Sequence, residues 1–332
     1  MTELFTHGGE ITVKYDHSVN LNPLGMPESA VKAYLEAADE LSRYPDREQH
    51  ELCRLISEKE GYPEGSVLCG AGAADLIYRT VFAVKPEKAL IFSPAFTEYK
   101  KALLAYGCEV MYCGEDDYKE KLSAGTDIVF VCSPNNPTGM QFDSGMLTDL
   151  SERCRENGSV LVIDESFIFF CENRQPSRIL YDNGAVLIRS LTKIYAMPAL
   201  RIGYLLCRDA ELVNRIRQCG QSWSVGTPAM KAAAAALEDD LFEKHTAEYV
   251  RTEREYLTSE LEKLGFTVCP SEVNFVLLQT DIPLRQILLV HDISVRDCSD
   301  MCGGGYYRIA VSTHQDNKHL IETLRRCINE TR

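Results

Sequence analysis

Lys193 stands three residues after Ser190, directly after Thr192, and eight residues before Arg201. An apolar run of strand type precedes this group at residues 186–188, and a second follows at 202–207, so the lysine falls on a short loop between two buried strands. A lysine removed from water deprotonates readily and becomes an amine nucleophile. Ser190, Thr192 and Arg201 are the donors that could hold a phosphate beside it. Taken alone, Ser-x-Thr-Lys is a short and common string that elsewhere is surface charge.

Other residues carry complementary chemistry. Gly70 and Gly72 follow a short strand and open a helix through Ala73, Ala74 and Asp75. Unsatisfied N–H groups at a helix N-terminus bind phosphate, and the dipole adds to the attraction. The third glycine and the later ribose-binding acid of a dinucleotide site are missing, so the pattern suits a single phosphate monoester. Asp164 ends the apolar run 160–163, and a carboxylate there needs a partner because an unpaired buried charge is costly. Asn136 lies in the polar turn after the strand 127–132, at the carboxyl edge of the expected sheet. Arg296 and Arg308 sit in strand-like segments and suit bidentate recognition of carboxylate or phosphate, although arginines on strands are also common in structural ion pairs.

The elements that must position these residues alternate between helix and strand, which indicates an α/β fold. Helices are expected at residues 29–41, with Val31, Tyr34, Leu35, Ala38 and Leu41 on one face, and at 49–60, with Leu52, Leu55 and Ile56 inward. Further helices are expected at 146–157, 209–219, 228–237 and 241–264, and a last one starts near Asn317. His7, Gly8 and Gly9, followed by Asn20, Asn22 and Pro23, make an irregular arm whose amides and glycine N–H groups could approach an anion. Arg43-Tyr44-Pro45-Asp46 is a turn between helices.

The 332 residues allow about two domains, with 45% apolar and 25% charged residues as in ordinary globular proteins. A net charge of -14 argues against nucleic acid or an anionic membrane as a partner, so an anionic ligand needs a local basic pocket. Thirteen cysteines form no C-x-x-C pair, and the seven histidines form no H-x-x-x-H or H-E-x-x-H arrangement, so no metal site is expected. Scattered cysteines, no signal peptide and no long apolar run lead to the expectation of a soluble, cytoplasmic protein.

The segment around Lys193, together with Asn135-Asn136-Pro137, the Asp164 run and the Arg308 segment, resembles the fold-type-I pyridoxal-phosphate enzymes of the aminotransferase class. Histidinol-phosphate aminotransferases and threonine-phosphate decarboxylases are branches of that class. The resemblance runs from His7 to Arg308 and implies a large domain with a mostly parallel seven-stranded sheet plus a small α/β C-terminal domain. The expected boundaries are an N-terminal arm at 1–27, a cofactor-binding domain at 28–225 and a small domain at 226–332. It implies pyridoxal 5'-phosphate as cofactor and Lys193 as its Schiff-base lysine. Gly72, Ala73, Ala74, Ser190, Thr192 and Arg201 would hold the phosphate, Phe96 would stack on the ring, and Asn136 and Asp164 would contact its oxygen and nitrogen. Tyr44 would reach the phosphate of a neighbouring subunit in a homodimer. His7, Gly8, Asn20, Asn22, Asn136, Arg296 and Arg308 would bind a small phosphorylated amino acid or amine, with Arg308 directed at a carboxylate and Arg296 at a phosphate. Many aminotransferases of the class have tyrosine three residues after the aspartate, whereas here Phe167 stands there, as in the decarboxylase branch. That branch implies decarboxylation of L-threonine O-3-phosphate to aminopropanol phosphate in cobalamin biosynthesis. The alternative is a histidinol-phosphate-type aminotransferase working with glutamate and 2-oxoglutarate.

Overall fold

The runs Ile128–Cys132, Val160–Asp164 and Val186–Ser190 are too apolar to leave a face in water, and they form the centre of a sheet covered on both sides. The structure, a computed structural model, describes residues 8–9, 13–122, 125–174 and 177–331. Its strands are β1 (Tyr15–His17), β2 (Val67–Gly70), β3 (Lys88–Phe92), β4 (Glu109–Cys113), β5 (Ile128–Cys132) and β6 (Val160–Asp164). The others are β7 (Val186–Ser190), β8 (Gly203–Leu206), β9 (Thr267–Val268), β10 (Phe275–Gln279), β11 (Ile293–Asp297) and β12 (Tyr306–Ala310). The larger sheet has seven strands in the order β2-β8-β7-β6-β5-β3-β4. Only β8 runs against the rest, pairing antiparallel with both β2 and β7.

Successive residues of a strand point to opposite faces, and the core divides accordingly. Val129, Val131, Leu161, Ile163 and Leu187 pack on one side, while Ile128, Phe130, Val162, Val186 and Ile188 pack on the other. Cys132 lies opposite Asp164, which lies opposite Ile188. The carboxyl ends of β5, β6 and β7 therefore coincide, and the turns carrying Asn136, Asp164 and Lys193 share one edge of the sheet.

A second sheet has the order β1-β11-β12-β10-β9. The arm contributes β1, which pairs parallel with β11 and ties the start of the chain to its last third. The helix Thr227–Leu237 follows residue 225, yet Ala229, Ala232, Ala233 and Ala236 pack in the core of the larger sheet, against the helices Glu28–Glu36 and His50–Glu60. Small side chains allow that close approach. No helix among the described residues is long and apolar enough to cross a membrane.

Two helical expectations change. The segment expected as one helix at 29–41 is an α-helix only over Glu28–Glu36 and a 3-10 turn over Ala37–Glu40. Its interior contacts come from Ala30 and Ala37, whereas Leu35 and Leu41 are each 64% exposed and Val31 and Tyr34 are also exposed. The helical period is present, but none of the described residues covers the apolar face. In the next helix Leu52 and Ile56 are buried as expected, while Leu55 is only half-buried.

Beneath the sheet edge lies a buried ion network. Arg189 Nε donates to Glu165 Oε2 at 2.8 Å and the same guanidinium pairs with Glu60, which accepts from the Tyr204 hydroxyl at 2.5 Å. The two carboxylates raise the Arg189 pKa well above its ordinary value, against the effect of burial. Because Arg189 and Glu165 adjoin Ser190 and Asp164, the network fixes the ends of β6 and β7. Removing one member of such a network leaves uncompensated buried charge, so Arg189→Met should destabilise the protein by roughly 3–5 kcal/mol, read as a lower denaturant midpoint at unchanged slope. A change below about 1 kcal/mol would mean that the charges are solvated rather than paired.

Candidate active site

The short connection expected after β7 is a single helical turn, Leu191–Ile194. It projects Lys193 into a pocket at the carboxyl ends of the strands. Burial pushes the Lys193 pKa down from 10.5 to about 8, the Arg308 and Arg201 cations assist, and Asp164 opposes them. A substantial fraction of the amine is therefore neutral near physiological pH, as a nucleophile requires.

This depression makes a stability prediction for the cofactor-free protein. A lysine whose folded pKa lies below its unfolded value opposes folding at low pH, and the penalty is relieved as pH rises from about 8 towards 10.5. Lys193→Met should therefore stabilise the apoprotein by up to about 3 kcal/mol at pH 7, with a much smaller gain at pH 10. Equal gains at both pH values would show that the amine is fully hydrated in the folded protein.

One end of the pocket is built for an anion. Gly72 has φ +88 and precedes the helix Ala73–Val84, and a Cβ at Gly72 would come within 2.9 Å of an Arg201 guanidinium nitrogen. Glycine thus permits both the turn and the close approach of arginine. Ala73 and Ala74, in the first turn of that helix, line the pocket together with Ser190, Thr192 and Arg201. The Ser190 and Thr192 hydroxyl oxygens lie 2.7 Å apart. Asp75 accepts from the Ala71 N–H at 2.8 Å and is itself paired with Arg79, which steadies the turn.

Asp164 is 3% exposed, and burial raises its pKa. Its carboxylate accepts from the Tyr99 hydroxyl at 2.6 Å and from the Ser166 N–H at 2.9 Å, both of which favour the charged form. Phe96 caps the helix Thr97–Tyr106 and borders the same pocket. Asn136 also faces it, while Asn135 is engaged in its own turn with Pro94 and Thr138. Phe167 lines the wall and meets Phe275 edge-on at 5.1 Å between centroids.

The other end holds two arginines. Arg296 on β11 and Arg308 on β12 are direct cross-strand partners, so their side chains leave the same face of the sheet. Arg308 donates to the Asn136 side-chain oxygen and, at 3.0 Å, to the Ser18 carbonyl. Its Nε is buried with no hydrogen-bond partner among the described residues, and burial lowers its pKa to about 10. Arg296 donates to Asp300 at 2.6 Å and to the Asp297 carbonyl. Like charges directly opposite are unfavourable, so the pair favours an anion between or beside them.

The arm closes over this end, with Gly8 and Asn20 lining the pocket and the Asn20 side-chain oxygen buried with no partner among the described residues. Asn22 does not face the pocket. Its amide donates to the Ile194 carbonyl at 2.6 Å and to Thr246 at 2.8 Å, and its N–H donates to the Lys193 carbonyl. It therefore anchors the arm behind the lysine instead of reaching a substrate. Tyr44 is 81% exposed, with its ring 4.6 Å from that of Trp223, outside the pocket of its own chain. His7 lies outside the described residues.

Sequence reasoning missed Tyr99, Ser166 and Cys132 around Asp164, and Met301 beside the arginines. Tyr99 lies one helical turn beyond Phe96, the one signal that could have pointed to it. The nucleophile, the anion cradle, the buried carboxylate and the aromatic wall fit the phosphate, ring nitrogen and ring face of pyridoxal phosphate.

The sequence model of aminotransferase class I and II matches residues 13–324. A threonine-phosphate decarboxylase from Salmonella typhimurium is 34% identical over 93% of this chain and 90% of its own. A histidinol-phosphate aminotransferase from Methanosarcina mazei is 30% identical over 91% of this chain and 85% of its own. Among solved structures, the histidinol-phosphate aminotransferase from Clostridium acetobutylicum superposes with a TM-score of 0.89 at 26% identity, over 95% of this chain and 99% of its own.

Proposed function

Because the chain belongs to the aminotransferase class I and II family, whose cofactor is pyridoxal phosphate, we propose that it decarboxylates L-threonine O-3-phosphate to aminopropanol phosphate, a reaction of cobalamin biosynthesis. The observation that carries this reading is the cross-strand pair Arg296 and Arg308 in the same pocket as Lys193. A small phosphorylated amino acid brings an anion at each end, which matches two guanidiniums held on adjacent strands.

In this reading, bound pyridoxal phosphate supplies an electron sink for the bond that breaks at the substrate Cα. Arg308 and Asn136 orient the carboxylate so that its bond to Cα is the one aligned to break, and Arg296 holds the phosphate. The carboxylate leaves as CO2 with its bonding electrons left behind, and the Lys193 ammonium returns a proton to Cα. Gly8 and Asn20 from the arm limit the entry of water. Phe167 leaves its wall apolar where many aminotransferases of the class carry a tyrosine hydroxyl.

Arg296→Gln should raise KM for O-phosphothreonine roughly ten- to a hundredfold while cofactor binding stays unchanged. An unaltered KM would remove Arg296 from the phosphate subsite. A histidinol-phosphate-type aminotransferase is the second reading, supported by relatives at similar identity. Histidinol phosphate has no carboxylate, so in that case Arg308 would serve chiefly the glutamate of the second half-reaction.

A homodimer with shared sites belongs to the same reading. Val31, Tyr34, Leu35 and Leu41 are exposed apolar side chains that precede the exposed Tyr44 in sequence. Inactive Tyr44→Phe and Lys193→Ala proteins, once mixed and exchanged, should regain activity, because each heterodimer gathers both lesions into one site and leaves the other intact. Confirmed exchange without recovery would place Tyr44 outside the site.

A further inference from the structure

Tyr99 has no exposed surface and does not line the pocket, yet its hydroxyl donates to the Asp164 carboxylate, which Ser166 also holds through its N–H and its side chain. Its ring is stacked on Phe130, with centroids 5.1 Å apart and planes 13° from parallel. On another side it meets Phe96 edge-on, at 5.8 Å and 85°. Phe130 belongs to the rigid central strand β5 and Phe96 forms the pocket wall. The tyrosine is thereby held so that its hydroxyl points at Asp164 Oδ2.

We propose that Tyr99 is a positioning residue of the active site: locked between Phe96 and Phe130, its hydroxyl holds the Asp164 carboxylate in place and charged, as the anionic partner of the cofactor's ring nitrogen. This rests on the pyridoxal-phosphate reading of the pocket. A carboxylate buried at the end of an apolar strand takes up a proton unless donors compensate it. The Ser166 N–H donates to one oxygen and the Tyr99 hydroxyl to the other, and the Ser166 side chain adds a further hydrogen bond that favours the charged form. The titratable groups facing Asp164 are Tyr99 from the helix Thr97–Tyr106, Cys132 from β5 and Lys193 from the turn after β7. Burial pushes the Tyr99 hydroxyl and the Cys132 thiol upward, so both remain neutral and Tyr99 acts as a donor throughout the physiological range. Of the three, Lys193 is the cation and it reacts, which leaves Tyr99, together with the non-titrating Ser166, as a constant influence on the carboxylate.

The test uses the holoenzyme and Tyr99→Phe, which keeps both ring contacts and removes one oxygen. Without the hydroxyl, Asp164 binds a proton more tightly and the ring nitrogen carries less positive charge. The nitrogen of Lys193 attached to the cofactor then keeps its proton to higher pH. The midpoint at which the long-wavelength absorption of the lysine-bound cofactor disappears should rise by about one pH unit, the size expected from one hydrogen bond to a charged group. Reconstitution of the apoprotein should need about tenfold more cofactor. In an Asp164→Asn background the same Tyr99→Phe change should shift neither quantity, because the effect passes through Asp164. Titration midpoints within about 0.2 unit of wild type would overturn the proposal, as would an equal shift in both backgrounds. Absence of the absorption in wild type would instead count against cofactor binding itself, so the two failures are distinguishable.

Discussion

Lys193→Ala should lack the absorption of the lysine-bound cofactor after the apoprotein is mixed with pyridoxal phosphate and gel-filtered, and its turnover should fall by at least about a thousandfold, since both covalent attachment and proton transfer depend on one amine. The argument starts from placement. A one-turn helix after β7 puts the side chain over the carboxyl ends of the central strands, between a phosphate-sized cradle and a carboxylate. Desolvation by burial and the neighbouring Arg308 and Arg201 keep its pKa near 8, so the nucleophile is available without a separate base. The cradle of Ala73, Ala74, Ser190, Thr192 and Arg201 survives the substitution. Residual, unattached cofactor should therefore be detectable by fluorescence quenching while the absorption of the lysine-bound form is absent. Persistence of that absorption in Lys193→Ala would locate the reactive amine elsewhere.

Arg308→Met should lower kcat/KM for O-phosphothreonine by about a hundredfold, because a charge-assisted bidentate contact contributes about 3 kcal/mol and none of it is replaced. The guanidinium also donates to Asn136 and to the Ser18 carbonyl, so its loss frees the arm and the Asn136 amide together. The effect should appear in kcat as well as KM, since alignment of the carboxylate, and not only its binding, is disturbed. Added guanidinium ion should restore part of the activity. A rise in KM alone would indicate that Arg308 binds the substrate without orienting it.

The parts of this site visible in the sequence are those set by local order along the chain. Asn136, Asp164 and Lys193 each follow a run of buried residues, and in a parallel sheet such runs end at one edge. The glycine turn before Ala73 is likewise local, since φ +88 at Gly72 is a demand that residue type alone reveals. Features that depend on register were not legible. Arg296 and Arg308 face one another only because β11 and β12 pair antiparallel in that alignment, which no periodicity specifies. Tyr99 reaches Asp164 across 65 positions of sequence, through the packing of a helix on β5. The family resemblance implies a substrate contact for Asn22, but the path of the arm turns its amide towards Ile194 and Thr246. The helix Glu28–Glu36 shows the converse case, in which the apolar period is legible but no surface among the described residues covers it.

The most direct measurement is product analysis after incubating the holoenzyme with O-phosphothreonine in the absence of any 2-oxo acid. Stoichiometric CO2 and aminopropanol phosphate, unchanged when 2-oxoglutarate is added, are the result expected from an arginine pair that grips both anions and directs the carboxylate to leave. Turnover that requires 2-oxoglutarate, releases glutamate and retains the substrate carboxylate would contradict the decarboxylase reading.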